Sequence, residues 1–315
     1  MDADRQRVEL ALLDAVRTPD AYLTEIASHL ISAGGKRLRP VMTIVASRVG
    51  SEGPAIEEAV LGGISCELVH LGSLYHDDVM DEATTRRGVD TVNAKWGNLQ
   101  AILAGDFLLA RASEIAASLG TEVAGLLART IGRLCEGQIE ELRHTYSVAR
   151  PVESYLESID GKTASLYSTA ARIGGIVAGH DRPTIELLTD YGTAYGMVFQ
   201  IVDDVLDLIA TDAELGKPAG HDMEEGVYTL PVLHTLASGG AAAKELHAIL
   251  GKPLDSDERM KVLDIVRSNG GVQSAIEHAK SFVARSETIC DELPRCSATD
   301  AMRESTSQLL GTVIR

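Results

Sequence analysis

Apolar side chains recur through most of this chain at spacings of three and four, with polar residues between them. That is the period of an α-helix with one buried face, and no segment alternates convincingly with the period of two that a half-buried strand requires. The Ala-rich and Leu-rich stretches are separated by short breaks at GlyGly (34–35), GlySerGluGlyPro (50–54), GlyThr (120–121), ArgPro (150–151), GlyHisAspArgPro (179–183), the stretch 216–231 and GlyLysPro (251–253). Gly and Pro punctuate helices because one costs backbone entropy and the other lacks the amide proton. None of these breaks is long enough for an interdomain linker. The pattern therefore predicts an all-α fold, a single-domain helical bundle over residues 1–315. Pro40 suits the first position of a helix running from Val41. Two segments, around Leu68–Met80 and Phe199–Ile209, are apolar nearly all round, which places both of their helices inside the bundle.

Carboxylates stand inside those two apolar segments. HisAspAspValMetAsp (76–81) carries Asp77, Asp78 and Asp81, and GlnIleValAspAspValLeuAsp (200–207) carries Asp203, Asp204 and Asp207 with the same spacing. On a helix turning about 100° per residue, positions i, i+1 and i+4 share roughly a third of the circumference, so each triad projects to one side. A single acidic run in an acidic chain reads as a solvated face. Ionised carboxylates within a turn of one another on a buried helix, however, repel and are costly to desolvate unless hard cations compensate them. Magnesium suits the set, since it is held by a few carboxylates together with waters and phosphate oxygens. For triads so far apart in the chain to share an ion cluster, they must meet across one central cavity.

The basic residues complete the pattern. Lys36, Arg37 and Arg39 lie in GlyGlyLysArgLeuArgPro (34–40), at a helix start. Cations there oppose the macrodipole unless an anion docks where the free N–H groups and the basic side chains converge. Arg86 and Arg87 follow the first triad by one to two turns and precede Gly88, which reads as a helix end. Arginine forks match phosphate oxygens. His70, seven residues before Asp77, lies on nearly the same helical face and can donate to a phosphate oxygen, although spacing alone equally fits a satisfied core histidine. The whole describes a site for two anions, one held through metal and one held directly by cations.

A net charge of −17 excludes a nucleic-acid-binding surface, which needs a basic face, but not anionic small substrates in a cleft where magnesium and arginines reverse the sign. Cys66, Cys135, Cys290 and Cys296 lack paired metal spacing and fall in helical segments, as reduced, buried thiols of a cytoplasmic protein would. The opening MetAspAlaAspArgGlnArg has no signal-peptide character and no stretch has the apolar length of a membrane helix, so stable membrane insertion is not expected. Glu141 and His144 supply one Glu-x-x-His element, whereas a di-iron carboxylate bundle needs two.

Taken together these residues resemble the all-trans polyprenyl diphosphate synthases, the trans-prenyltransferase family that includes farnesyl and geranylgeranyl diphosphate synthases. The match runs through GlyGlyLysArgLeuArgPro, then HisLeuGlySerLeuTyrHisAspAspValMetAsp with ArgArgGly after it, and AsnAlaLysTrpGlyAsnLeuGlnAlaIleLeuAlaGlyAspPhe (93–107). It continues through GlyLysThrAlaSerLeu (161–166), PheGlnIleValAspAspValLeuAsp (199–207) and GlyLysProAlaGlyHisAsp with ThrLeuPro (216–231), covering roughly residues 30–235 in the family's order. The resemblance implies a bundle of the isoprenoid synthase type. It also implies a magnesium-dependent condensation of isopentenyl diphosphate with an allylic diphosphate, giving a linear all-trans polyprenyl diphosphate. Lys36, Arg39, His70 and Arg87 would then hold isopentenyl diphosphate, and Arg86 the allylic diphosphate. Asp77, Asp81, Asp203 and Asp207 would be the principal magnesium ligands, with Asp78 and Asp204 supporting and three ions bound with the diphosphate. Lys162, Thr163 and Gln200 match catalytic positions facing the allylic carbon, Lys217 remains as a substrate-binding cation in a candidate lid (216–231), and a homodimer is implied.

One stretch departs from the family. His221, Glu224 and Val227 stand where basic residues are common, which bears on affinity for the allylic diphosphate and keeps a non-catalytic subunit of a heteromeric synthase as an alternative. Gly72 and Ser73, five and four residues before Asp77, are small where large aromatics would end elongation early. The expected product is therefore longer than geranylgeranyl diphosphate, with a short-chain synthase as the other reading. A class I terpene cyclase would leave the isopentenyl-binding cations unexplained.

Overall fold

The computed structural model describes residues 2–210 and 219–314. The regular structure of the described chain is helical apart from one hairpin of two-residue strands, Thr85–Arg86 against Val89–Asp90. It falls into two compact units. The first comprises Met1–Ile131, Leu166–Gly192 and Leu293–Thr299, and the second Gly132–Ser165, Thr193–Glu292 and Asp300–Arg315. Among the described residues no helix is long and apolar enough to cross a membrane.

In the first unit α1 (Asp2–Ala15), α2 (Ala21–Ser32), α3 (Leu38–Ser47), α4 (Glu57–Met80), α5 (Val92–Trp96) and α6 (Asn98–Ser118) follow in order. α4 is the central element, packed along α6, α3 and α1. Ala59, Val60, Ile64, Leu68, Leu71 and Tyr75 are buried along it, a wider apolar arc than a surface helix carries. Glu57 and Glu58 in its first turn suit the positive end of its dipole. The backbones of α4 and α6 meet at Gly72, where a Cβ would sit 3.0 Å from the Gly105 carbonyl oxygen and 3.2 Å from Leu109 Cγ. Near the triad the Tyr75 hydroxyl, fully buried, donates to the Ile26 carbonyl at 2.8 Å and pins α2 against α4.

α7 (Thr121–Arg143) and α10 (Arg182–Ile209) each place their second half in the second unit. Between them come α8 (Val152–Ile159), a π-helical turn (Asp160–Ala164) and α9 (Ser165–Val177). Then follow α11 (His221–Glu224), α12 (Leu230–Ala237), α13 (Gly240–Ile249), α14 (Ser256–Ser268), α15 (Gly271–Glu292) and α16 (Ser297–Gly311). Val198, Ile201 and Val205 of α10 pack in a core with Tyr228, Leu233 and Leu263. α14 opens with a capping box, Asp255 accepting from Glu258 N while the Glu258 side chain accepts from Asp255 N.

Three local expectations are corrected. α3 begins at Leu38, ahead of Val41, because Arg37 adopts the left-handed conformation (φ 51°) with its guanidinium buried on Glu9, Glu67 and the Ile31 carbonyl. Pro40 then lies inside the first turn, where an N–H has no intrahelical partner to lose. Arg86 and Arg87 do not end a helix: α4 stops at Met80, and Arg87 and Gly88, both at positive φ (54° and 76°), form the tight turn of the hairpin, as a two-residue connection requires. Cys135 is exposed on α7, and Cys296 precedes α16 in a loop, so only Cys66 and Cys290 are the buried helical thiols expected.

Candidate active site

The basic part of the first unit surrounds one histidine. His70 on α4 is held well below its ordinary pKa by burial and by the fields of Arg39, Arg87, Arg86 and Arg37, in that order. Arg39 is buried, its guanidinium 4.7 Å from the centre of the Tyr167 ring, and its Nε has no hydrogen-bond partner. Arg87 donates to the Leu30 carbonyl at 3.1 Å and to the Gly34 carbonyl, fastening the hairpin to the GlyGly turn. Burial lowers the Arg87 pKa, Glu67 partly opposing it. Lys36 is exposed at the same turn. Arg37, by contrast, is spent on carboxylates: Glu9 at 2.8 and 3.0 Å and buried Glu67 at 3.3 Å. Several guanidiniums confined around a neutral histidine repel one another, and an anion with several oxygens would relieve that repulsion.

At the end of the same helix stands the first triad. Asp78 is fully buried, Asp77 half-buried and Asp81 exposed. Arg86 Nε donates to Asp78 Oδ1 at 2.5 Å, while Asp78 Oδ2 is buried with no hydrogen-bond partner. Burial holds this carboxyl above its usual pKa, against the opposing pull of Arg86 and Arg87. The oxygen-only donors of the triad are the chemistry that magnesium takes.

The second triad and the residues expected at the allylic carbon lie in the second unit. Asp203 is exposed, while Asp204 and Asp207 are buried at 4% and 5% exposure. Gln200 Nε2 donates to Asp204 Oδ1 at 2.8 Å, Tyr155 Oη donates to Asp204 Oδ2 at 2.5 Å, and Thr163 Oγ1 donates to Gln200 Oε1 at 2.8 Å. Burial and the nearby Asp222 push the Asp204 carboxyl well above its usual range, against the Tyr155 and Gln200 hydrogen bonds. Lys162 Nζ lies 2.6 Å from Glu141 Oε1 on α7. Lys162 and Thr163 ride on the π turn, and irregular helical turns of this kind frequently mark functional sites. The turn is seated on α7: a Cβ at Gly137 would lie 2.5 Å from Lys162 N and 2.7 Å from the Ser158 carbonyl oxygen.

Tyr155, Glu141 and the π turn were not singled out by sequence reasoning. A tyrosine on an amphipathic helix reads as core, and Glu141 drew notice only through its spacing to His144. That pair is not a metal element, since Glu141 is engaged by Lys162 and His144 Nε2 lies 3.2 Å from Glu140 Oε1. Lys217 lies outside the described residues. Where family-typical cations are missing, His221 lies between Glu225 (3.1 Å) and Glu224 (3.5 Å), and Arg259 of α14 reaches this stretch, 3.3 Å from Glu224 Oε1 and donating to the Ala219 carbonyl. Among the described residues no three His, Cys, Asp or Glu side chains converge on one point tightly enough to hold an ion unaided.

A helical scaffold bearing two such triads and a cluster of arginines about His70 belongs to the class of the isoprenoid synthases. The profile described as "Polyprenyl synthetase" matches residues 20–267. The chain is 39% identical over 280 residues to the nonaprenyl diphosphate synthase of Mycobacterium tuberculosis, covering 89% of this chain and 83% of the relative. It is 37% identical over 302 residues to heptaprenyl diphosphate synthase component 2 of Geobacillus stearothermophilus, covering 96% and 93%. The crystal structure of a polyprenyl synthase from Caulobacter crescentus CB15, complexed with calcium and isoprenyl diphosphate, superposes with a TM-score of 0.91 at 31% identity, covering 98% of this chain and 94% of that one. The chain therefore belongs to the polyprenyl synthetase family, and it is a prenyltransferase that makes polyprenyl diphosphates.

Proposed function

We propose that the enzyme condenses isopentenyl diphosphate with an allylic diphosphate and carries elongation beyond geranylgeranyl, with magnesium bound at Asp77, Asp81, Asp203 and Asp207. The observation that carries this reading is α4 itself. One helix bears a histidine whose pKa is lowered by burial and nearby guanidiniums and, seven residues on, a carboxylate triad whose middle member is buried against Arg86. Magnesium, when bound, neutralises the allylic diphosphate as the C–O bond breaks. Lys36, Arg39, His70 and Arg87 hold the diphosphate of the homoallylic partner, which fixes its double bond for attack. Arg86 uses Nε to hold Asp78 and keeps its other nitrogens for the allylic diphosphate. Lys162, Thr163 and Gln200, ordered by Glu141 and by one another, bring an ammonium group, a backbone or hydroxyl oxygen and an amide to the allylic carbon, which position the substrate and stabilise the cation as it forms. The released diphosphate takes the proton that restores the alkene. The long-chain names of the relatives and the small residue Ser73 support a long product, whereas Gly72 is small because α4 and α6 meet there.

A second reading follows from the relative named component 2 and from the acidic company of His221: the chain works with another subunit. The exposed apolar row Leu99, Ile102 and Leu103 on α6 supports a dimer of like chains instead. Purified protein, incubated with magnesium, farnesyl diphosphate and labelled isopentenyl diphosphate, is expected to give a chain longer than geranylgeranyl. No turnover in any starter, restored by a second subunit, would favour the second reading. No turnover under either condition would overturn the function.

A further inference from the structure

In the second unit both the π turn and the helix that leads into it, α8, are tied to α10. Tyr155, one turn before it on α8, donates to Asp204 Oδ2 at 2.5 Å, and Thr163, within it, donates to Gln200 Oε1 at 2.8 Å. Gln200 and Asp204 are one turn apart on α10 and joined to each other, Gln200 Nε2 to Asp204 Oδ1 at 2.8 Å. Four side chains thus form one closed run of hydrogen bonds, and its partners leave no slack. Tyr155 is 1% exposed and Asp204 is 4% exposed. The guanidinium of Arg150 lies over the Tyr155 ring, 5.7 Å from its centre, and donates to Ser158 Oγ at 2.6 Å, which fixes the ring from behind. Gln200 and Asp204 project together from α10 and lie within about 100° of Asp203 and Asp207, so fixing positions 200 and 204 fixes the rotation of the helix and the direction in which Asp203 and Asp207 project. The first triad has a counterpart in Arg86 on Asp78, but there the tether is a cation that can also face substrate, whereas a buried phenol can only position.

We infer that Tyr155 is the positioning residue of the second acidic triad, acting through Asp204 to hold the outer carboxylates for the metal–diphosphate cluster and to lock the π turn that carries Lys162 and Thr163. The inference rests on the metal reading of the triads given above. Tyr155→Phe removes one hydroxyl and keeps the ring, its packing and the Arg150 contact.

The test is calorimetric titration of inorganic pyrophosphate in the presence of magnesium, alongside steady-state kinetics and melting of the free protein. Tyr155→Phe is expected to weaken pyrophosphate binding and lower kcat by about 10- to 100-fold, the range for partners that orient metal ligands. KM for isopentenyl diphosphate should change less than about threefold, and the melting temperature of the free protein by only a few degrees. In an Asp204→Asn background the same substitution should add less than about a twofold loss, because its effect passes through that carboxylate. Unchanged pyrophosphate binding in Tyr155→Phe overturns the inference, as does an equal loss in both backgrounds. A variant that melts far below the parent also overturns it, by assigning the tyrosine to the core alone. Parent protein that fails to bind pyrophosphate with magnesium overturns the metal reading itself, and the inference with it.

Discussion

Gly137→Ala tests whether α7 seats the π turn. Built on the backbone, the new Cβ lies 2.5 Å from Lys162 N, 2.7 Å from the Ser158 carbonyl oxygen and 3.0 Å from Gly161 C. All three are main-chain atoms, so no flexible side chain can give way, and ordinary van der Waals contact requires the turn to retreat by about 1 Å. Overpacking of this kind costs about 1–3 kcal/mol. Alanine recovers about 0.5–1 kcal/mol over glycine in a helix interior, leaving a net loss of roughly 0.5–2 kcal/mol. Gly132→Ala, in the same helix with nothing within 4 Å of its Cβ, is the control and should gain the propensity term alone. Because the propensity gain is common to both, urea unfolding should separate the two variants by the overpacking cost, about 1–3 kcal/mol, at equal m-value.

The same displacement reaches the chemistry, since Lys162 and Thr163 are on the segment that must move. A misplacement near 1 Å is worth about a hundredfold in kcat, with isopentenyl diphosphate KM largely kept on the proposed assignment of its diphosphate to Lys36, Arg39, His70 and Arg87. Gly132→Ala should retain full turnover. If Gly137→Ala is as stable and as active as Gly132→Ala, the close seating of the π turn on α7 is wrong.

Three further outcomes follow from named contacts. Arg86→Met leaves buried Asp78 without its cation and should cost about 1–3 kcal/mol in urea unfolding, most of it recovered by adding Asp78→Asn; no recovery would deny the pairing. His70 has a depressed pKa in the folded chain, so as pH falls below 6.5 the unfolded state takes up the proton first and stability declines, by at most about 1.4 kcal/mol per pH unit from this group. His70→Asn should flatten the loss of urea stability between pH 7.5 and 5.5, and a slope equal to the parent's would contradict the guanidinium field. Ser73→Phe should shorten the product as read by chromatography, whereas unaltered length would remove Ser73 from the control of elongation.

Helical period, break positions and the paired triads were legible in the sequence because they depend on residues close together in the chain. What was not legible depends on partners brought together by packing. Arg37 looked like a third phosphate ligand until Glu9 and Glu67 claimed it, and Arg87 looked helical although two successive positive φ angles make a turn. The π turn carries no composition of its own, since AspGlyLysThrAla differs from an α-helical stretch only in what α7 presents to it.

The division of labour within each triad follows from helical geometry more closely than the bare motif suggests. At about 100° per residue, positions i and i+4 stand only about 40° apart, whereas i+1 is rotated about 60–100° from both. The outer carboxylates therefore project together and can share an ion, while the middle one turns aside toward the neighbouring element. That is where Asp78 meets Arg86 and Asp204 meets Tyr155 and Gln200, both carboxylates buried. Asp77, Asp81 and Asp203 all remain open to solvent in part or in full. Asp207 is the exception, buried at 5%, and its carbonyl accepts from Gly220 N at 2.8 Å, so the returning chain covers that end of α10. Spacing thus predicts which member of the motif is a tether, but only the fold supplies what it is tethered to: a guanidinium in one triad and a phenol in the other. The two triads should consequently respond differently to mutation of these partners, Arg86 through substrate binding as well as stability and Tyr155 through the metal cluster and the π turn.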